Sequence, residues 1–246
     1  MGRTAHLMLT CLCDAFFCDV GQACVRVLEH AGCRVVFDAR QTCCGQPAFN
    51  AGDWTAALKV ALHTLDVFKD AEVVVTPSAS CAGMMRHGYG LLFEGHPRRN
   101  EALDLGGRTF ELTEYLERQL EIRAWPAQPP RRIGLHAACH LRQIEATDVP
   151  RRFLDRVGGI EVVPFEEPEQ CCGFGGVFAV TFPWLSRRMG DRKLNAANGA
   201  GVREIVSTDM GCLMHLRGMI DKTGQPFRCT HIAQLLADSL ENGMRD

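Results

Sequence analysis

The sequence predicts an α/β protein built from two similar halves, and two observations support this prediction. The same spacing of cysteines occurs twice, with an offset of 128 residues for the first three members of each set and 131 for the last. In both halves, short apolar runs that suit β-strands alternate with segments of helical periodicity. Strands that alternate with helices form parallel sheets with right-handed crossovers. The expected architecture is therefore two pseudo-symmetric Rossmann-like repeats with parallel sheets, each carrying one Cys-Cys-Gly motif.

In the first half, predicted strands end close to cysteines. The apolar run at positions 6–10 leads directly to Cys11, and the run at 73–76 ends shortly before Cys81. The other predicted elements are a helix over Val20–His30, a strand over Arg34–Phe37 and an amphipathic helix over Trp54–Phe68 with Asp53 as its N-cap. In parallel α/β sheets, ligands bind beyond the carboxyl ends of the strands. These cysteines therefore indicate a site at that edge of the sheet.

The second half repeats this order of elements. Its predicted elements are a strand over Ile133–His136, a helix over Val149–Val157, and strands over Glu161–Val163 and Glu204–Thr208. The tails at 108–116 and 228–236 each predict a short extended piece that enters a helix. Between the halves lies the only proline-dense stretch, Trp125–Arg132. We therefore expect a first repeat at 1–124, a linker at 125–132 and a second repeat at 133–246.

Composition indicates an adequate apolar core and no general affinity for polyanions. Hydrophobic residues make up 46% of the chain, charged residues 23%, and the net charge is −2. These values are typical of soluble globular proteins and exclude nucleic acid as an expected partner. No apolar run approaches the roughly 20 residues of a membrane-spanning helix, so no transmembrane segment is expected. The 13 cysteines, in a chain that is neither short nor visibly secreted, are better explained as metal ligands than as disulfides. The expected location is therefore the cytoplasm.

Eight cysteines belong to the duplicated pattern and are the predicted ligands of a metal or an iron–sulfur cluster. They are Cys11, Cys43, Cys44 and Cys81 in the first half, and Cys139, Cys171, Cys172 and Cys212 in the second. Thiolates are soft ligands that favour iron–sulfur clusters and zinc, and metal charge offsets the repulsion among four of them. Gly45 and Gly173 supply the freedom in φ with which adjacent cysteines can turn toward one site. Structural zinc and inert buried thiols are the alternatives to iron–sulfur.

The remaining chemistry-bearing residues give weaker signals. Five cysteines have no partner at the repeat offset and are interpreted as core or surface thiols: Cys13, Cys18, Cys24, Cys33 and Cys229. His136, His140 and His215 lie near cysteines of the duplicated pattern. The sequence leaves three roles open for them: metal ligand, hydrogen-bond donor to a ligand, or ordinary loop histidine. Met84 is expected to be a packing residue. The sequence contains no G-x-G-x-x-G fingerprint, P-loop or G-x-S-x-G motif, so no catalytic residue is assigned.

Six segments around these cysteines resemble the CCG-motif family of cysteine-rich-domain proteins. They are Cys11–Gly21, Gln41–Asn50, Ser78–Met84, His136–His140, Cys171–Gly176 and Asp209–His215. The family includes one of the subunits of heterodisulfide reductase and the iron–sulfur subunit of glycolate oxidase. The resemblance covers nearly the whole chain. It implies an electron-transfer role and one iron–sulfur cluster per repeat, of the [4Fe-4S] type, with zinc as the alternative in one or both sites.

The resemblance also implies partners. Similar members act with two companions, one a ferredoxin-like iron–sulfur protein, to oxidise L-lactate to pyruvate. The implied function is thus a redox subunit that is inactive alone. A heterodisulfide-reductase-like or glycolate-oxidase-like redox subunit and a metal-stabilised assembly scaffold are the alternatives. Members with a noncubane cluster carry C-x-x-C after the CCG, whereas this chain has Met84 and His215 at those last positions. Four-thiolate sites are therefore expected.

Overall fold

The computed structural model describes residues 3–242 and folds them into two α/β halves. The strands are β1 (Thr4–Leu7), β2 (Arg34–Val36), β3 (Val74–Thr76), β4 (Thr109–Glu111), β5 (Arg131–His136), β6 (Ile160–Val162), β7 (Glu204–Ser207) and β8 (Arg228–His231). The first-half helices are α1 (Cys11–Phe16), α2 (Cys18–His30), α3 (Gln46–Asn50), α4 (Trp54–Phe68), α5 (Ala79–Gly83), α6 (Tyr89–Leu92), α7 (Arg99–Gly107) and α8 (Leu112–Glu114). The second-half helices are α9 (His140–Gln143), α10 (Val149–Leu154), α11 (Val177–Thr181), α12 (Pro183–Gly199), α13 (Met210–Thr223) and α14 (Ile232–Asn242). Short π-helical segments at Met84–Gly88 and Tyr115–Gln119 follow α5 and α8.

Each half contains one four-stranded sheet in which all strands are parallel. The strand orders are β2-β1-β3-β4 and β6-β5-β7-β8. Val74 of β3 pairs with His6 on one side and Thr109 on the other, and in the second half Ile205 pairs with Gly134 and Cys229. The two sheets therefore have the same topology. This confirms the predicted fold class, and β4 and β8 confirm the extended pieces predicted in the two tails.

Some element boundaries differ from the predictions for local reasons. β5 begins at Arg131, inside the predicted linker, because Arg131 pairs with Ile160 and its guanidinium binds the Glu204 carboxylate at 2.6 Å. The helix predicted to reach Val157 ends at Leu154, shortly before a turn in which Gly159 has φ of +87°. The predicted repeat boundaries stay predictions, and their outermost positions, 1–2 and 243–246, lie outside the described residues.

The segment after the second Cys-Cys-Gly motif is helical, and the sequence pattern did not predict where its helices begin and end. It forms α11 and α12, and it carries apolar side chains in solvent: Val180 is 81% exposed and Trp184 is 65% exposed. Within residues 3–242, no helix combines the length and apolarity needed to cross a bilayer. The cytoplasmic location stays a prediction.

The last helical segment of each half packs on the opposite half. α14 follows β8 but packs along α2 of the first half, and α8 follows β4 but packs on α10 of the second. The nearly buried Glu117 carboxylate binds Arg152 at 2.6 Å and Arg156 at 3.0 Å. One apolar core therefore runs through both halves.

Trp125 packs at the place where helices from the two halves meet. Its side chain is 6% exposed, and its Nε1–H points to the Leu236 carbonyl oxygen at 3.1 Å and to Ser239 Oγ at 2.9 Å. Its ring contacts His30 of α2 and Phe153 of α10, with centroid separations of 5.0 and 5.6 Å. One side chain thus joins helices from both halves.

We expect Trp125→Ala to lower the free energy of unfolding by about 3–5 kcal/mol, the usual range for removing a large buried aromatic ring. Trp184→Ala is the matched control, because its ring is 65% exposed and its loss should change stability by no more than about 0.5 kcal/mol. Urea unfolding followed by circular dichroism measures both. Equal effects of the two substitutions would contradict the role assigned to Trp125.

Candidate metal centre

The cysteines of the duplicated pattern lie beyond the carboxyl ends of the strands. Cys11 begins α1 after β1, and Cys81 lies in α5 after β3. In the second half, Cys139 follows β5, and Cys212 lies in the first turn of α13 after β7. The adjacent cysteine pairs lie in the loops after β2 and β6. The topology therefore brings each set of four to one edge of its sheet.

Polar side chains fix the starts of the helices that carry these cysteines. Thr10 caps α1, and Ser78 Oγ accepts a hydrogen bond from the Cys81 N–H at 3.1 Å. The Asp209 carboxylate accepts one from the Gly211 N–H at 3.0 Å at the start of α13. The caps thus fix the positions of Cys11, Cys81 and Cys212 in the first turns of their helices.

The first thiol group consists of Cys11, Cys43, Cys44 and Cys81. The sulfurs of Cys11 and Cys43 are 3.6 Å apart, and the Cys44 thiol contacts both Cys43 and Cys81. Hydrogen bonds from Cys11 and Cys44 lower the pKa of Cys43, and the same bonds raise the pKa values of the two donors. Cys43 therefore loses its proton more readily than Cys11 or Cys44.

The second thiol group consists of Cys139, Cys171, Cys172 and Cys212, with the same pattern of contacts. Hydrogen bonds from Cys139 and Cys172 lower the pKa of Cys171 and raise the pKa values of these donors. A hydrogen bond from Cys172 lowers the pKa of Cys212, although burial opposes it. For the first three thiols of each group, the repeat therefore duplicates the directions of the pKa shifts as well as the spacing.

The glycines after the cysteine pairs have the backbone conformation that the sequence indicated. φ is +88° at Gly45 and +94° at Gly173, in the region that favours glycine. In this conformation the N–H of Gly45 lies 3.4 Å from Cys43 Sγ, and that of Gly173 lies 3.4 Å from Cys171 Sγ. A Cβ at position 173 would also come within 2.4 Å of the Ser186 carbonyl oxygen. Each loop thus turns its N–H toward a sulfur.

The two thiol groups face each other across one cavity between the halves. All eight cysteines line this cavity, whose volume is about 160 Å³. At its base the Asp209 carboxylate of the second half accepts hydrogen bonds at 3.0 Å from the Ser78 hydroxyl and the Ser80 N–H of the first half. Ser78 and Asp209 are equivalent positions of the repeat, offset by 131. Each group comes from one half, but the two share a common space.

A second set of polar contacts crosses between the halves at His140. Gln46 Nε2, beside the first Cys-Cys-Gly motif, lies 3.2 Å from the Ser80 carbonyl oxygen and 3.1 Å from His140 Nε2. His140 Nδ1 lies 3.5 Å from Cys139 Sγ. Because an amide nitrogen only donates hydrogen bonds, His140 Nε2 accepts from Gln46, and the ring N–H at Nδ1 then points to the sulfur. His140 is therefore placed as a hydrogen-bond donor to the second thiol group.

The other two histidines, His136 and His215, lie in different environments. His136 is fully buried, and one of its ring nitrogens and the sulfurs of Cys172 and Cys212 all lie within 4.8 Å of one another. His215 instead lies beside the Phe174 ring, with a centroid separation of 6.3 Å. Of the three histidines left open by the sequence, His136 is thus the one whose nitrogen is grouped with two sulfurs closely enough to share a metal ion with them.

The cysteines outside the duplicated pattern lie away from the cavity walls. Burial raises the pKa values of Cys13 and Cys229 to about 12, which makes both thiols poor ligands at neutral pH. Cys24 and Cys33 are also buried, whereas Cys18 is exposed. Met84 packs in the core of the first half.

The donor chemistry of both groups fits a thiolate-bound metal or iron–sulfur cluster. Each group offers four sulfurs from one half, a backbone N–H directed at a sulfur, and a largely enclosed wall. Thiolates must lose their protons to bind metal, and the metal charge then stabilises the crowded sulfurs. Hydrogen bonds to sulfur also adjust the reduction potential of a bound cluster.

Two α/β halves of one design, each presenting four thiols at the same sheet edge, define a duplicated cysteine-rich protein. The family model of the CCG cysteine-rich domain matches residues 5–86 and 133–217, one match in each half. The chain belongs to this CCG family, as the sequence segments predicted.

Similar proteins cover nearly the whole chain. Lactate utilization protein A of Geobacillus thermodenitrificans is 40% identical over 94% of this chain and 97% of its own length. The protein of the same name from an Exiguobacterium species is 39% identical over 96% of this chain and 97% of its own length. A hypothetical protein from Helicobacter pylori has a crystal structure that matches with a TM-score of 0.70 over 98% of this chain, at 11% identity. This chain spans 49% of that longer chain, and the likeness shows the fold alone.

We expect Cys44→Ser and Cys172→Ser each to remove the metal of one half only, leaving about half of the bound metal, because the thiols of each group come from one half. Metal analysis of the purified variants measures this. Cys24→Ser and Cys229→Ser are the controls and should retain all metal, since both side chains lie outside the cavity walls. Loss of a site in Cys24→Ser would contradict the separation of ligands from other thiols.

Proposed function

We propose that this chain is an iron–sulfur electron-transfer subunit of an oxidoreductase complex that converts L-lactate to pyruvate. The observation that carries the proposal is the single cavity lined by two groups of four thiols, in a chain about 40% identical to proteins named for lactate utilization.

The shared cavity supports a role in electron transfer. A bound iron–sulfur cluster, of the [4Fe-4S] type in each half, supplies one-electron chemistry. The chain's own residues hold the sulfurs, direct N–H groups at them and bury Cys44, Cys81, Cys172 and Cys212. Asp209 and Gln46 connect the two halves by hydrogen bonds at the sites themselves. The two thiol groups are thus suited to act in series.

The chemistry of the reaction supports a subunit rather than a complete enzyme. Converting L-lactate to pyruvate releases two electrons and two protons, and one-electron carriers alone provide no acceptor for a hydride. We therefore assign substrate oxidation to the complex, with a ferredoxin-like iron–sulfur protein as the electron acceptor and one further protein as the third subunit.

Exposed apolar side chains support a docking surface beside the cavity. Phe16, one turn after the cavity residue Leu12, is 70% exposed, and Val180 follows the cavity residue Gly176 closely in sequence. Apolar side chains in solvent mark an interaction surface where they form a contiguous patch. Docking there would bring a partner's redox group close to the thiols.

A zinc-stabilised assembly scaffold is the second candidate. His136, Cys172 and Cys212 form a compact nitrogen and sulfur set, and such sets are typical of structural zinc as well as of iron.

We expect anaerobically purified protein to be brown and to contain iron and acid-labile sulfide, because two four-thiolate groups suit one cluster each. Chemical analysis of iron, sulfide and zinc measures this. Colourless protein with two zinc ions per chain would exclude the redox role and favour the scaffold.

We expect the isolated chain not to oxidise L-lactate, and we expect turnover only when its companions are added, because the hydride acceptor is assigned to them. The assay follows pyruvate formation with an artificial electron acceptor, with the chain alone and with its companions. The Cys44→Ser variant in the full mixture is the control and should lower turnover at least tenfold. Turnover by the isolated chain would contradict its assignment as one part of a complex.

A further inference from the structure

The second thiol group has a nitrogen neighbour whose environment is specific. His136 is the last residue of β5 and has no exposed surface. Its Nδ1 lies 3.3 Å from the Pro168 carbonyl oxygen, and its buried Nε2 has no hydrogen-bond partner of normal geometry among residues 3–242. A longer contact between the ring and Cys212 helps to lower the pKa of that thiol. A ring nitrogen lies within 4.8 Å of the Cys172 and Cys212 sulfurs. Because Nδ1 is engaged by the carbonyl, Nε2 is the nitrogen left for the thiol group.

The partner of Nδ1 fixes which nitrogen carries the proton. A carbonyl oxygen only accepts hydrogen bonds, so Nδ1 donates and Nε2 keeps a free electron pair. The same Pro168 oxygen also accepts a hydrogen bond from the buried Lys193 ammonium at 3.0 Å, which holds it in place. An imidazole that donates one N–H to a backbone carbonyl and presents its other nitrogen to sulfur ligands has the arrangement of metal-binding histidines.

The first thiol group lacks this nitrogen. At the repeat offset of 128, the position of His136 corresponds to Met8, which is 1% exposed and packs with Cys44 and Cys81. A thioether is uncharged and a weak acceptor, and it offers no nitrogen. The two halves therefore share the four thiols but differ at this neighbouring position, which is Met8 in the first half and His136 in the second.

We propose that His136 is a nitrogen ligand, through Nε2, of the metal held by the second half, so that this site is mixed in nitrogen and sulfur while the first is all-thiolate. The proposal rests on metal binding by the second thiol group, as in the proposed function, but imidazole binds iron and zinc alike. The second half thus offers one imidazole and four thiols, whereas the first offers four thiols.

The test uses full-length protein grown with ¹⁵N-histidine and reconstituted anaerobically with iron and sulfide. In Cys44→Ser only the second site is loaded, and pulsed EPR of the reduced protein should show ¹⁵N coupling of the strength of a directly bound nitrogen. His136→Met, which copies the first half, should abolish this coupling. His140→Gln should preserve the coupling, since His140 contacts Cys139 only by a hydrogen bond. Cys172→Ser, which leaves only the first site, should show none.

Absence of coupling, or coupling only of the weak kind given by a hydrogen bond, would overturn the proposal. The labelled wild-type protein answers the same question if a variant fails to fold, because its iron sites can couple to ¹⁵N only through histidine. If the metal is zinc, the redox function fails but this inference is still tested. X-ray absorption of Cys44→Ser should then show a nitrogen at about 2.0–2.1 Å beside sulfurs at about 2.3 Å, and an all-sulfur shell would refute the proposal.

Discussion

The hydrogen bonds that the Asp209 carboxylate accepts from Ser78 and Ser80 are the contact on which the arrangement of the site depends. Ser78 caps the helix that carries Cys81 in the first half, and Asp209 caps the helix that carries Cys212 in the second. Joining the two caps directs the carboxyl ends of both sheets at one point. The eight thiols share a cavity because the caps meet. A buried carboxylate also requires partners, and here the opposite half supplies two of them.

The interface shows how two copies of one design have diverged while keeping the same backbone. Glu111 and His231 end the equivalent strands β4 and β8, and both are fully buried. Burial raises the pKa of Glu111 to about 7 and lowers that of His231 to about 4, so it shifts both side chains toward their neutral forms. Glu111 accepts hydrogen bonds from backbone N–H groups within its own half, whereas His231 Nε2 lies 3.1 Å from the Pro77 carbonyl oxygen of the other half. Both positions thus cap the following helix, since His231 Nδ1 accepts a hydrogen bond from the Ala233 N–H at 3.1 Å, and only in the second copy does the side chain also reach the other half.

Much of the fold could be predicted from the sequence, because it depends on local signals. Strand runs, helix periodicity and the glycines at 45 and 173 each act within a few residues, and the cysteine spacing repeats along the chain. The facing of the two thiol groups could not be predicted, since it depends on contacts between residues far apart, such as Ser78 and Asp209. His136 was left open for a related reason. Its importance comes from the loop carbonyl at Pro168 and from Lys193, which no local pattern connects to it.

The packing of α14 on α2 has a consequence for how the protein is made. The apolar face of α2, including Val20, Val27 and Leu28, is covered by a helix that begins only at residue 232. During synthesis, the first half therefore leaves the ribosome with this face in water. Its four thiols are synthesised well before the helix that completes the packing of this half. The first half is thus incompletely packed during translation, and exposed apolar surface of this kind is what makes a nascent chain depend on chaperones.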